Sequence, residues 1–159
     1  MTAPRLSRGL RLLFRAPVCL YHCGCGRLLG HRFLLLIQTG RRTGLRRRTV
    51  LEVIEYREDV PEAIVMSAFG PNASWLRNIQ TNPTEEVIIG SQCFAAVHRL
   101  LREEEAVKAI MEYQRRHWFI APIIHFALSR FVGWRYDGSE KECRRLVAQL
   151  PVIGFRPRS

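Results

Sequence analysis

A chain of 159 residues, 47% of them hydrophobic, has the length of one domain with a sizeable core, and its composition excludes a disordered or low-complexity protein. Twenty-five basic against fourteen acidic residues give a formal net charge of +11. That charge selects an anionic partner: a phosphorylated or polyacidic small molecule, an anionic lipid surface or a nucleic acid.

Residues 1–30 read as one or two short helices, broken at Pro17 and at Gly24, Gly26 and Gly30. Arg5, Arg8 and Arg11 precede an apolar stretch in the manner of a secretory signal, but Arg15 and Pro17 interrupt it and no small-residue cleavage site follows. The expectation is a cytoplasmic protein. Leu6, Leu10, Leu13 and Phe14 share one helical face opposite arginines. This fits a helix lying on an anionic membrane, hence a peripheral contact, and equally a helix covering the domain's own core or cleft. No apolar run reaches the ~20 residues that span a bilayer. The five cysteines are an odd number, which argues for reduced thiols over a disulfide framework. Cys19, His22, Cys23 and Cys25 have the residue types of a metal site without paired knuckle spacing, so buried thiols are expected there and no metal.

Four runs then read as strands, at 32–39, 49–56, 63–69 and 85–101, the last split into a hairpin by Gly90 and Ser91. A short helix lies between Pro71-Asn72 and Asn82-Pro83, with Trp75 and Ile79 on its inner side. Glu103, Glu104 and Glu105 open a helix that Arg115, Arg116 and His117 close, matching the helix dipole at both ends, with Val107, Ile110 and Met111 buried. The apolar run 118–134 predicts a buried or cleft-lining helix. After Asp137-Gly138-Ser139 come a short helix carrying Leu146 and Leu150 and a strand over 151–155. Strands in series with helices at the ends predict an α+β barrel and not a doubly wound parallel sheet.

The most informative segment is the loop 40–49. Two glycines allow a tight turn with exposed N–H groups, and Arg41, Arg42, Arg46, Arg47 and Arg48 with Thr43 and Thr49 add charge and hydroxyls. Residues 1–51 hold eleven arginines, no lysine and no acid, so the whole charge excess lies in the first third. Arginine used without lysine favours bidentate recognition of phosphate or carboxylate. The loop lacks the lysine of the nucleotide-hydrolase phosphate loop and the third glycine of the dinucleotide fingerprint. Aromatics are sparse among the arginines and no nucleic-acid module pattern is present, which argues against a nucleic-acid partner. No nucleophile elbow supports a hydrolase.

The segments HRFLLLIQTGRRTGLRRRTVLEV, SAFGPNASWLRNIQTNP and YDGSEKECRRLVAQLPVIGFRPR resemble the deazaflavin-dependent nitroreductase family of split β-barrel proteins, which use coenzyme F420, over about residues 29–158. The resemblance implies a mostly antiparallel split barrel, similar to FMN-binding barrels, with flanking helices. It implies that Arg41, Arg42, Thr43, Arg47 and Arg48 grip the phosphate or glutamate tail of the cofactor. Thr49 and Leu51 would lie beside its ring system; Ser67, Ala68, Phe69 and Gly70 would meet its polar edge; Trp75 and Asn78 would contact it or pack and cap their helix. Leu45 and Arg46 depart from the family pattern of a basic or amide residue followed by proline, and Ala68 stands where some relatives carry lysine.

The implied activity is hydride transfer from reduced deazaflavin to a small lipophilic acceptor, a quinone, activated enone or nitro compound. Tyr113, Tyr136 and His117 are the candidate proton donors, each also readable as a core aromatic. FMN and haem, which other split barrels hold, are the alternative cofactors. A lipid or lipophile carrier at the membrane surface, without redox turnover, would use the basic N-terminus and the apolar 119–131 run.

Overall fold

Alternation of side chains along the strands is what closes this chain on itself. In β1 (Phe33–Thr39), Leu34 and Leu36 point to one side and Leu35 and Ile37 to the other, all four buried. The inward set meets Val53 of β2 (Arg46–Arg57), Ala63 and Val65 of β3 (Glu62–Met66), Val87 and Ile89 of β4 (Glu85–Ile89), Ala96 of β5 (Gln92–Leu100), and Ile153 and Phe155 of β6 (Val152–Pro157). The six strands form a closed antiparallel barrel in the order β1-β2-β3-β6-β5-β4. The computed structural model describes residues 30–82 and 85–159. The N-terminal helical segment, the face formed by Leu6, Leu10, Leu13 and Phe14, and the Cys19, His22, Cys23 and Cys25 group lie outside the described residues, as does Pro83.

Among the described residues four helices flank the barrel: α1 (Ser74–Thr81), α2 (Glu103–Arg116), α3 (Ala121–Val132) and α4 (Glu140–Gln149). Trp75, Leu76 and Ile79 of α1 join the barrel interior, with the Trp75 ring 6.3 Å from that of Phe155. A second core lies outside the barrel wall. There Ile54, Ile64 and Val152 pack against Val107 and Ile110 of α2 and Cys143 and Leu146 of α4. Ile54 reaches that side at a bulge between Val53 and Glu55.

An ionic cluster ties one side of the barrel together. Glu62, whose side chain is fully buried, accepts from Arg99 Nε at 2.6 Å, Arg156 Nε at 2.9 Å and Arg57 Nη1 at 3.1 Å. Glu105 of α2 accepts from Arg99 and Arg57 at 2.6 and 2.7 Å.

The structure departs from the sequence reading in four places. β2 begins at Arg46, three residues early, because the ladder with β1 continues through Ile37–Arg48, Gln38–Arg47 and Thr39–Arg46. The third strand stops at Met66, and Ser67 to Gly70 turn instead, with Gly70 at φ +71° and the Ser67 hydroxyl donating to the Gly70 carbonyl at 2.7 Å. Met111 is exposed on α2. The run expected to form a buried or cleft-lining helix is a 3-10 turn, Trp118–Ile120, followed by α3, of which Leu128 alone is buried, while Trp118, Ala121 and His125 line a hollow against α2. Trp118, Phe119, Ile123 and Phe126 are 75, 65, 68 and 70% exposed.

Candidate functional site

The β1–β2 loop is shaped by its backbone. Gly40 N–H donates to the Leu45 carbonyl and Gly44 N–H to the Gly40 carbonyl, both at 2.8 Å, and Gly44 sits at φ +66°. A Cβ at Gly40 would stand 3.0 Å from Thr43 Oγ1 and 3.3 Å from the Leu45 carbonyl oxygen. The loop is therefore folded tightly on itself.

Those arginines edge a cleft of about 450 Å³. The loop contributes Arg41, Arg42 and Thr43; β2 contributes Arg47, Arg48 and Thr49; α1 contributes Ser74, Trp75 and Asn78; and β1 contributes Gln38. The Asn78 amide oxygen accepts from Arg41 N–H at 3.2 Å and from Arg41 Nη1 at 3.0 Å, which fastens the loop to α1. Partial desolvation, and then the like charges of Arg77 and Arg42, lower the Arg41 pKa from its ordinary value. Among the described residues no carboxylate lines the cleft. Four arginines and two threonines line it, residue types suited to a multiply charged anion with oxygen acceptors. A phosphorylated, polyacidic cofactor meets that test.

Other residues singled out from the sequence lie elsewhere. Leu51 is half-buried against the barrel interior. Ser67, Ala68, Phe69 and Gly70 form the turn after β3, outside the cleft. Three of its N–H groups are engaged within the chain: Ser67 to the Pro151 carbonyl at 2.8 Å, Ala68 to Met66 at 3.1 Å and Gly70 to Ser67 at 2.9 Å. Phe69 is exposed, edge-on to Phe131 of α3 at 5.5 Å.

Tyr113 and His117 share a separate hollow of about 330 Å³ with Val53, Glu55 and Arg116. The Tyr113 hydroxyl donates to Glu52 at 2.7 Å, and burial, reinforced by that carboxylate, pushes its pKa well up. His117 Nδ1 is 2.8 Å from the Tyr113 carbonyl oxygen and the two rings are 4.4 Å apart. Tyr136 is enclosed in the second core, its hydroxyl 3.1 Å from Gln114 Oε1 and 2.9 Å from Cys143 Sγ, and burial first, then Cys143, raises its pKa. Tyr113 and His117 are thus brought together, apart from both the arginine cleft and Tyr136.

Gln38 is the residue that sequence reasoning missed. The signal was present: a glutamine follows Leu34 and Leu36 at the next inward position of β1, where the alternation calls for an apolar side chain. No helix among the described residues is long and apolar enough to cross a membrane.

The family model described as F420H(2)-dependent quinone reductase matches residues 21–118. No curated protein matches the chain. Among solved structures, an F420-H2 dependent reductase, FDR-A, is 20% identical with a TM-score of 0.45, over 80% of this chain and 96% of that one. A putative pyridoxamine 5'-phosphate oxidase from Listeria innocua is 12% identical with a TM-score of 0.50, over 92% of this chain and 94% of that one. A protein of unknown function from Agrobacterium tumefaciens is 12% identical with a TM-score of 0.52, over 99% of this chain and 60% of that one. The last two share the fold.

Proposed function

Because the chain belongs to the F420H2-dependent quinone reductase family, an oxidoreductase family, we propose that its arginine cleft seats the phosphate or glutamate tail of F420 and that it reduces a lipophilic acceptor, a quinone first, an enone or nitro compound otherwise. The observation that carries this reading is that Arg41, Arg42, Arg47 and Arg48 all line one cleft, with no carboxylate among its described lining residues. When bound, reduced F420 supplies the hydride. The protein orients, holds charge and supplies a proton.

Asn78 holds Arg41 in place from α1, so part of the ordering cost of its side chain is met before any ligand arrives. Trp75 gives the cleft an apolar wall. The hollow containing Tyr113 and His117 lies farther along β2, four residues from Thr49 to Val53, or about 13 Å. Tyr113 keeps its proton at neutral pH because burial and Glu52 both oppose ionisation. In this reading a proton from the Tyr113 and His117 pair reaches the acceptor oxygen, which with the hydride completes a two-electron reduction. Tyr136, enclosed by Gln114 and Cys143, serves packing.

A further feature favours work at a membrane surface: the exposed Trp118, Phe119, Ile123 and Phe126, in a stretch from Tyr113 to Tyr136 that holds four arginines and no acid.

Titration of the protein with F420, FMN and haem side by side tests the proposal. F420 should bind most tightly, in the micromolar range. Replacing Arg41 and Arg47 together by alanine should weaken it about a hundredfold or more, at ~1.5–3 kcal/mol per charged hydrogen bond. Undiminished affinity in the double variant would place the cofactor elsewhere.

A further inference from the structure

We propose that Gln38 is a selectivity element of the arginine cleft, its amide oxygen accepting a hydrogen bond from a hydroxyl or amide N–H that the ligand carries next to its anionic groups. This rests on the reading of the cleft as the F420 site.

Gln38 is 4% exposed and lines the cleft. Its Nε2 donates to Thr49 Oγ1 at 3.0 Å across the β1–β2 ladder. Its Oε1 is shielded from solvent and has no hydrogen-bond partner among the described residues. A buried acceptor left without a donor costs stability, on the order of 1–3 kcal/mol, unless something else satisfies it. Gln38 also borders a neighbouring hollow, but the charges there are already matched. Glu86 is paired with Arg46 and accepts from Cys93 Sγ at 3.0 Å.

The chemistry of the other lining groups gives this oxygen its meaning. Guanidinium groups and threonine hydroxyls donate, so they would accept any anion of suitable size. Asn78 Oδ1, the other amide oxygen in the cleft, is occupied by Arg41. The Thr49 hydroxyl, already accepting from Gln38, still has its own proton to donate. Gln38 Oε1 therefore adds a requirement that bare phosphate or sulfate meets poorly: a donor on the ligand close to its charge. A polyol phosphate offers a hydroxyl there and an amide-linked acidic tail offers N–H. An unsatisfied acceptor discriminates strongly, because a ligand lacking the donor leaves it buried and unpaired.

Gln38→Met and Gln38→Leu, which keep the bulk and remove the amide, test this in the full chain against two probes: F420 with its glutamate tail and F420 with the glutamates removed. Binding is followed by the change in deazaflavin fluorescence and folding by thermal midpoint. The expected result is a thermal midpoint that holds within a few degrees or rises, with F420 bound about five- to thirtyfold more weakly. A loss seen with both probes identifies the donor as a hydroxyl; a loss confined to the tailed probe identifies it as an amide N–H. Variants that bind F420 as the wild type does would overturn the inference and leave the cofactor reading intact. Variants that lose several degrees or more of thermal midpoint would mark Gln38 as a structural strut and also overturn it. Wild-type protein that ignores F420 would remove the cofactor reading and this inference with it.

Discussion

At the scale of single residues, the site depends on the absence of one side chain as much as on the arginines. Gly40 lets the loop close on the Leu45 carbonyl, and an alanine there would press on that backbone oxygen at 3.3 Å and on Thr43 Oγ1 at 3.0 Å. The carbonyl cannot yield without lengthening the Gly40–Leu45 hydrogen bond. Gly40→Ala should therefore splay Arg41 and Arg42 and lower F420 affinity about tenfold, with a change in thermal midpoint of only a few degrees, in line with the small cost of one loop hydrogen bond. Titration and melting of the same sample check this, and an unchanged affinity would show that the loop has slack. The arginines were legible in the sequence because residue type alone declares fixed charge. That Asn78 anchors Arg41 was not, since the two are 37 residues apart and helix capping explained Asn78 equally well.

At the scale of elements, hydrophobic composition proved a poor guide to burial. The 118–134 run is apolar enough for a core helix, yet α3 has the barrel assembly on one side only. Leu128, Ile124 and Val132 take that side, His125 and Ser129 contact Tyr136, and Ile123 and Phe126 face outward. Ile123, Phe126 and Arg130 fall at spacings of three and four along α3 and form a stripe, with Phe119 in the turn that leads into it and Arg115, Arg116 and Arg135 near its ends. Aromatic rings between basic residues match the interface of an anionic bilayer. The protein should co-sediment with phosphatidylglycerol vesicles and much less with phosphatidylcholine ones, and Phe119→Glu combined with Phe126→Glu should abolish pelleting while leaving F420 binding unchanged. Wild-type protein that remains in the supernatant would reject the membrane seat. The early start of β2 escaped prediction for a related reason: Arg46, Arg47 and Arg48 carry no strand signal, and it is pairing with β1 that makes them one.

At the scale of the molecule, the Glu62 cluster joins β2, β3, β5, β6 and α2, with Arg156 94 residues from its partner. Arg99 and then Arg57 hold Glu105 down to about 2 from an ordinary 4.5; for Glu62 burial pulls upward, but Arg99 and Arg156 outweigh it and the net shift is also downward. Carboxylates depressed in the folded state contribute stability that is complete above their unfolded pKa and is lost as pH falls toward the folded value. The thermal midpoint should therefore be level above about pH 5 and fall steeply from there to about pH 2, and Glu105→Gln should lower the plateau and flatten that fall. An acid limb of equal steepness in the variant would remove Glu105 from the account. The sequence by itself determined the strand and helix pattern, the one-sided charge and the F420 family, because alternation, capping residues and loop chemistry are local and are written in residue type and spacing. Tertiary structure alone decided which side chains meet: that Gln38 is left with an unanswered oxygen, that Tyr113 meets Glu52 while Tyr136 is enclosed, and that Ile123 and Phe126 of α3 lie open. Those outcomes depend on closing the barrel and packing helices against it, which join residues far apart in sequence and leave no trace in any short stretch of it.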